Sequence, residues 1–267
     1  KNLKKGIEFL EQQFGVKWDW DAFWKNAEMY NESSRCMIEK WDVNCTEHPQ
    51  VCGAALALQR EYEFMAAACM DKFMLKTDRR VTKMMLKGYE QDKAANAPQP
   101  KYRCLVWACP AHYYTNFTYW TQHCWGVTCV NDMEAMLSYQ PITIGDKEQA
   151  LADLVRCYEK MMMRSHTNGG YVNLLDECWK MCEKFHTNIV IMYDHVSCKN
   201  VGGLHGLFED QARERGIHLI WIPHDVMDPR TVSRREMREA FSQYMVTVLN
   251  EKPLDPTLLD YEDALSW

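Results

Sequence analysis

The sequence predicts an α/β protein: a helical N-terminal segment followed by a doubly wound parallel-sheet domain of the Rossmann or flavodoxin-like kind. Three observations carry this. Residues 1 to about 95 show helical periodicity with few strand signals. Beyond them, short β-rich runs at 103–107, 126–130, 188–193 and 218–222 alternate with helical segments, the order that builds a parallel sheet with helices on both faces. Between the two patterns stands Pro98-Gln-Pro100, a break that marks a boundary. The expected layout is a helical domain at 1–97, an α/β domain at 101–250 and a C-terminal tail at 251–267.

Taken in order, Ile7, Phe9, Leu10 and Phe14 give the first helix an apolar face, and Asp19 or Asp21 is placed to cap the next. Further helices are expected at 54–74 and 77–93, then at 148–163, 171–185, 204–215 and 234–249. The last begins with a capping box, Ser233-Arg-Arg-Glu236, and shows an apolar face of Met237, Phe241, Met245 and Val248. The acidic tail from Lys252, with two prolines and a terminal Trp267, is expected to wrap a neighbouring surface.

Composition narrows the function classes. With 267 residues, 47% of them hydrophobic, the chain can bury a substantial core. A net charge of −6 argues against a dedicated nucleic-acid or anionic-membrane binder. No apolar run approaches the roughly 20 residues that span a bilayer. Twelve cysteines without framework spacing, in a chain of this size, point to a reducing cytoplasm rather than a disulfide scaffold. The dinucleotide GxGxxG, the Walker loop, HExxH and GxSxG are all missing.

In open parallel sheets, ligands sit at the carboxyl ends of the strands. Four loops are expected there: Ala108 to Asn116, Asn131 to Glu134, His195 to Gly203, and Pro223 to Arg230. Cys198, in a glycine-bearing turn beside His195 and Lys199, reads as a metal ligand or activated thiolate, or as a half-buried thiol without chemistry. Cys109 follows its strand in the same way and is the second candidate metal ligand. His195, His224 and Asp225 are the candidate catalytic groups; His224 and Asp225 orient one another or a substrate, or else cap the last helix. Arg230 and Arg234, with Arg235 and Arg238, surround a helix start and suit a phosphate-bearing ligand such as coenzyme A; Glu236 and Glu239 among them equally suit a solvated face. The aromatic density from Trp107 to Trp125 lines an apolar pocket or packs in a core or interface. Cys178 and Cys182, one helical turn apart, read as a packed face.

The Cys198 loop with Gly203-Leu-His-Gly-Leu-Phe-Glu-Asp-Gln-Ala-Arg-Glu-Arg-Gly216-Ile-His-Leu-Ile-Trp-Ile-Pro-His-Asp225, followed by Asp228-Pro-Arg-Thr-Val-Ser-Arg-Arg-Glu-Met-Arg238, resembles the C-terminal domain of the 2-hydroxyacyl-CoA dehydratase and benzoyl-CoA reductase family. Trp107-Ala-Cys-Pro110 stands where that family has a small-x-Pro turn. The resemblance spans most of the chain and is strongest from Ile189 to Val248. It implies a subunit that acts with a homologous sister subunit and an ATP-dependent iron–sulfur activator on an acyl-CoA thioester. It also implies a [4Fe-4S] cluster held by three cysteines, one of them matched by Cys198. The domain carrying the other two is expected to lie outside this sequence. The implied chemistry is loss of water from a 2-hydroxyacyl-CoA through a ketyl radical after one-electron activation. A subunit of a benzoyl-CoA-type or double-cubane reductase and a non-catalytic interaction subunit are the alternatives.

Overall fold

β1 (Tyr102–Trp107) and β3 (Ile189–His195) form the centre of the sheet because their runs of β-branched, aromatic and sulfur-bearing residues suit burial on both faces. The computed structural model describes residues 1–53, 55–58, 72–135, 140–160 and 169–260. Its sheet has four parallel strands in the order β2-β1-β3-β4, with β2 at Val127–Asp132 and β4 at His218–His224. From β1 the chain moves outward one way to β2, then crosses back and moves the other way from β3 to β4. The order therefore reverses between β1 and β3, and such a switch point opens a crevice at the carboxyl ends of those two strands.

Helices cover both faces, as the alternating pattern predicts. On one face lie α4 (Phe117–Trp125) and α9 (Arg234–Thr247), joined by edge-on contacts of Phe241 with Phe117 and Trp120. On the other lie α6 (Tyr171–Lys184) and α8 (His205–Arg215), which meet through Trp179 and Phe208. α5 (Lys147–Lys160) precedes α6 in the crossover from β2 to β3, and a single turn, α7 (Lys199–Gly202), follows Cys198. The capping box of α9 forms as expected, with Ser233 and Glu236 each bonding the other's backbone N–H.

Much of the aromatic run from 107 to 125 packs in the core. Phe117, Trp120, Thr121, Cys124 and Trp125 are buried on α4, a helix not expected from the sequence. The tail lies along the same helix: the Leu254 N–H donates to the Cys124 carbonyl (2.7 Å), and Trp120 Nε1 donates to the Leu258 carbonyl (2.9 Å). Trp267 lies outside the described residues.

In the N-terminal part, α1 (Asn2–Phe14) buries none of its residues, and Gly15 ends it at φ +64°. α2 (Trp20–Asn44) is capped by Asp19, which accepts from the Ala22 N–H at 2.9 Å. α3 (Lys72–Ala95) extends beyond the expected 77–93 at both ends. Of the expected helix at 54–74, residues 55–58 are helical; 54 and 59–71 lie outside the described residues. α2 and α3 are tied by a buried ion pair, Lys40 to Asp78 at 3.0 Å, to which Ser33 also donates.

Arg103 of β1 joins this helical part to the sheet. Its guanidinium donates to the carbonyls of Asn44 (2.6 Å), Thr46 (2.8 Å) and Phe185 (2.9 Å). Asn44 adds a bond of its own to the Val130 carbonyl in β2 (2.9 Å). Among the described residues, no helix is long and apolar enough to cross a membrane.

Candidate functional site

All four expected loops lie at the carboxyl edge of the sheet, because parallel strands end on one side. The loop after β1 begins with a left-handed non-glycine residue, Ala108 at φ +64°. A Cβ residue in that region costs about 1–2 kcal/mol, and here the kink turns the chain sharply off the strand into Cys109-Pro110. The loop is then held from the β4 side. The His112 N–H donates to the Val226 carbonyl (3.2 Å), the Tyr113 hydroxyl to the Val232 carbonyl (3.0 Å), and Arg234 to the Tyr113 carbonyl (3.0 Å).

Three ligand-type side chains converge here. Cys109 Sγ is 3.6 Å from His112 Nε2, which is 4.0 Å from a carboxylate oxygen of Glu134. All three donor atoms lie within 4.8 Å of one another. Glu134 comes from a 3-10 turn after β2, Met133–Ala135, whose start is fixed by the Glu134 N–H donating to Asp132 at 2.8 Å. Strand register brings the two loops together, since β1 Val106 faces β2 Asp132. The sequence carries one signal of this group, the Cys-x-x-His spacing of Cys109 and His112.

Cys198 stands apart. It is half-buried at the start of α7, with its N–H on the His195 carbonyl (2.8 Å). Among the described residues, Cys109, His112 and Glu134 are the only three or more such donors close enough to share an ion, and Cys198 is not with them.

Of the candidate catalytic groups, His195 and Asp225 take part in local hydrogen bonds. His195 Nδ1 accepts from the Ser197 N–H (3.1 Å) and lies 3.0 Å from the Ser197 hydroxyl. A ring whose Nδ1 accepts carries its proton on Nε2, so neutral His195 presents an N–H donor rather than a base. Asp225 neither orients His224 nor caps α9. Its Oδ1 accepts from the Met227 and Asp228 N–H groups (2.9 and 2.8 Å), which holds its pKa below the usual carboxylate range, and the cap of α9 is Ser233.

The two arginines divide. Arg234 is used internally, its guanidinium over the Tyr114 ring at 5.4 Å as well as on the Tyr113 carbonyl. Arg230 is exposed and pairs with Asp228, 2.7 Å away. Asp194, opposite His205 at 3.2 Å, is an ion-pair candidate at the end of β3 that sequence reasoning missed.

His224 is wholly buried, with its ring 5.4 Å from that of His195 and 4.9 Å from Tyr193. Burial, aided by His195, pushes its pKa down to about 4, although the nearby Cys109 and Asp194 carbonyls work the other way. The unfolded chain therefore takes up this proton near pH 6.5 and the folded chain only near 4, so His224 makes stability rise with pH across that window. The contribution, about 3 kcal/mol, is complete above pH 6.5 and lost as pH falls to 4. Urea unfolding at pH 7.5 and pH 5 should show wild type losing about 2 kcal/mol more than His224→Leu. Equal losses in the two proteins would refute this reading of His224.

No curated protein matches the chain closely enough to count as a relative. A family model described as 2-hydroxyglutaryl-CoA dehydratase, D-component, matches residues 1–245, which takes in the helical part, the sheet and every loop at its carboxyl edge. By that match the chain belongs to the 2-hydroxyglutaryl-CoA dehydratase D-component family.

Proposed function

We propose that this chain is one subunit of a cytoplasmic, oxygen-sensitive 2-hydroxyacyl-CoA dehydratase, working with a homologous sister subunit and an ATP-dependent iron–sulfur activator. The observation that carries the reading is the family match over residues 1–245. Supporting it is the crevice at the switch point between β1 and β3, where an acyl thioester has His195 on one side and the Cys109 loop on the other. There the His195 ring, its Nδ1 accepting from Ser197, offers Nε2–H to a substrate oxygen. His224 beneath it, its pKa pushed down by burial, stays uncharged at pH 7 and brings no positive charge to the crevice. Exposed Arg230, on releasing Asp228, is the proposed contact for a coenzyme A phosphate, while Arg234 keeps the β1 loop in place.

A [4Fe-4S] cluster is implied by the resemblance, with Cys198 as one ligand. The described residues do not fit a complete cluster. Cys198 belongs to no group of three donors, and the donors around Cys109 are gathered as for a single ion, closer than ligands on separate irons of a cubane. If Cys198 holds a cluster, its companion thiolates come from outside the described residues, and the one-electron ketyl route depends on them.

The test is anaerobic co-production of the chain with its sister subunit and activator, followed by incubation with 2-hydroxyacyl-CoA thioesters, ATP and a reductant. The expected product is the enoyl-CoA, smaller than the substrate by one water. Cys198→Ser should lower the rate by roughly 100-fold or more, about 2.7 kcal/mol in the barrier. Net two-electron reduction of an acyl-CoA would favour the reductase reading. No conversion by the complete complex would favour a non-catalytic interaction subunit.

A further inference from the structure

We propose that Cys109, His112 and Glu134 form a site for a single divalent transition-metal ion of the Zn²⁺ or Fe²⁺ class, with the fourth coordination position left for an oxygen ligand. The argument is geometric first. Metal–ligand bonds of about 2.3 Å to sulfur and about 2.0–2.2 Å to nitrogen and oxygen, arranged tetrahedrally, put S and N about 3.6 Å apart and N and O about 3.4 Å apart. The observed separations are 3.6 Å for Cys109 to His112 and 4.0 Å for His112 to Glu134, with Cys109 and Glu134 within 4.8 Å of each other, so side-chain movement of no more than about an ångström closes the site.

The donor set is the second reason. One thiolate, one imidazole and one carboxylate suit a borderline-soft ion, whereas Mg²⁺ and Ca²⁺ take oxygen ligands throughout. Three protein donors with an open position is the pattern of sites that bind water or a substrate oxygen, not of closed structural sites.

The third reason is that the donors are held before any ion arrives. Ala108 in its left-handed conformation aims Cys109, the Val226 carbonyl fixes the His112 backbone, and the turn onto Asp132 fixes Glu134. Only 12% of the Glu134 side chain is exposed, against 33% for His112, so an ion would be approached from the His112 side. Binding requires the Cys109 thiol to ionise, and a proton should leave as the ion enters.

The intact chain, purified without oxygen and stripped with a chelator, is titrated with Zn²⁺ or Co²⁺ alone, with no sulfide. The expected result is one ion per chain, proton release on binding, and a thiolate-to-cobalt charge-transfer band. Cys109→Ser should abolish that band. His112→Ala and the near-isosteric Glu134→Gln should each weaken binding by more than the roughly 10–100-fold typical of losing an outer-shell partner. Cys198→Ser should leave the titration unchanged, which separates this site from the cluster reading and from the outcome of the dehydratase assay. Far-ultraviolet circular dichroism identifies any variant that fails to fold, and Glu134→Gln then decides. The proposal is overturned if the wild-type chain binds no stoichiometric ion, if binding survives Cys109→Ser and Glu134→Gln alike, or if the cysteine takes up iron only with sulfide.

Discussion

Asp78→Ala is expected to destabilise the protein by about 3–5 kcal/mol, because it removes a carboxylate buried against the Lys40 ammonium and the Ser33 hydroxyl. The Lys40 and Asp78 side chains are 5% and 1% exposed, so water cannot replace the lost carboxylate. Ser33 loses its acceptor at the same time, and α2 loses one of its polar ties to α3, the Glu32–Arg79 pair and the Thr82 bond to the Cys36 carbonyl remaining. The complementary experiment replaces both ends with apolar groups. Lys40→Met with Asp78→Leu should recover most of the loss, since exchanging a whole buried pair for packed hydrophobic side chains is often neutral or better. Urea midpoints of the wild type, Asp78→Ala and the double variant measure this. A double variant no more stable than Asp78→Ala would show that the pair does more than satisfy its own charges.

Phe117→Ala should cost a similar amount, about 3–5 kcal/mol. Phe117 is fully buried among Tyr114, Trp120, Tyr193 and Phe241, with ring centroids 5.6 to 6.2 Å away, so its removal leaves a cavity walled by rigid aromatics that cannot collapse into it. Phe117→Leu refills much of the space and should cost a fraction of that. Thermal unfolding of the two variants separates cavity formation from simple loss of an aromatic contact. Equal losses would argue for the latter.

Where apolar pattern and punctuation agree, the chain was readable before its structure. β3 is a β-branched run ended by polar residues, and α9 carries both a capping box and an apolar face. The carboxyl-edge loops followed from strand order alone. α4 escaped because its residues are mostly aromatic or β-branched, types with modest helix propensity, and because its exposed face is narrow, only Tyr119, Gln122 and His123. His112 and Glu134 escaped as partners because they come from different strand ends and meet only through the register of β1 and β2. The turn-closing bonds of Asp225 were not legible either, because a carboxylate that closes its own turn has the same sequence signature as one that serves a neighbour. Arg234 likewise gives in sequence no sign of its contacts with the Tyr114 ring and the Tyr113 carbonyl.

The Arg103 clamp bears on how this chain can be recombined. One guanidinium, partly desolvated, takes its acceptors from the end of α2 and from the segment leading into β3, positions far apart along the chain. A chimaera that imports the sheet from a relative but keeps its own residues 44–46, or the reverse, risks a cation among mismatched carbonyls. Gene-shuffling crossovers placed between 47 and 102 therefore divide a unit that functions as a single inheritance. Productive junctions are those that carry Asn44, Thr46 and Arg103 together.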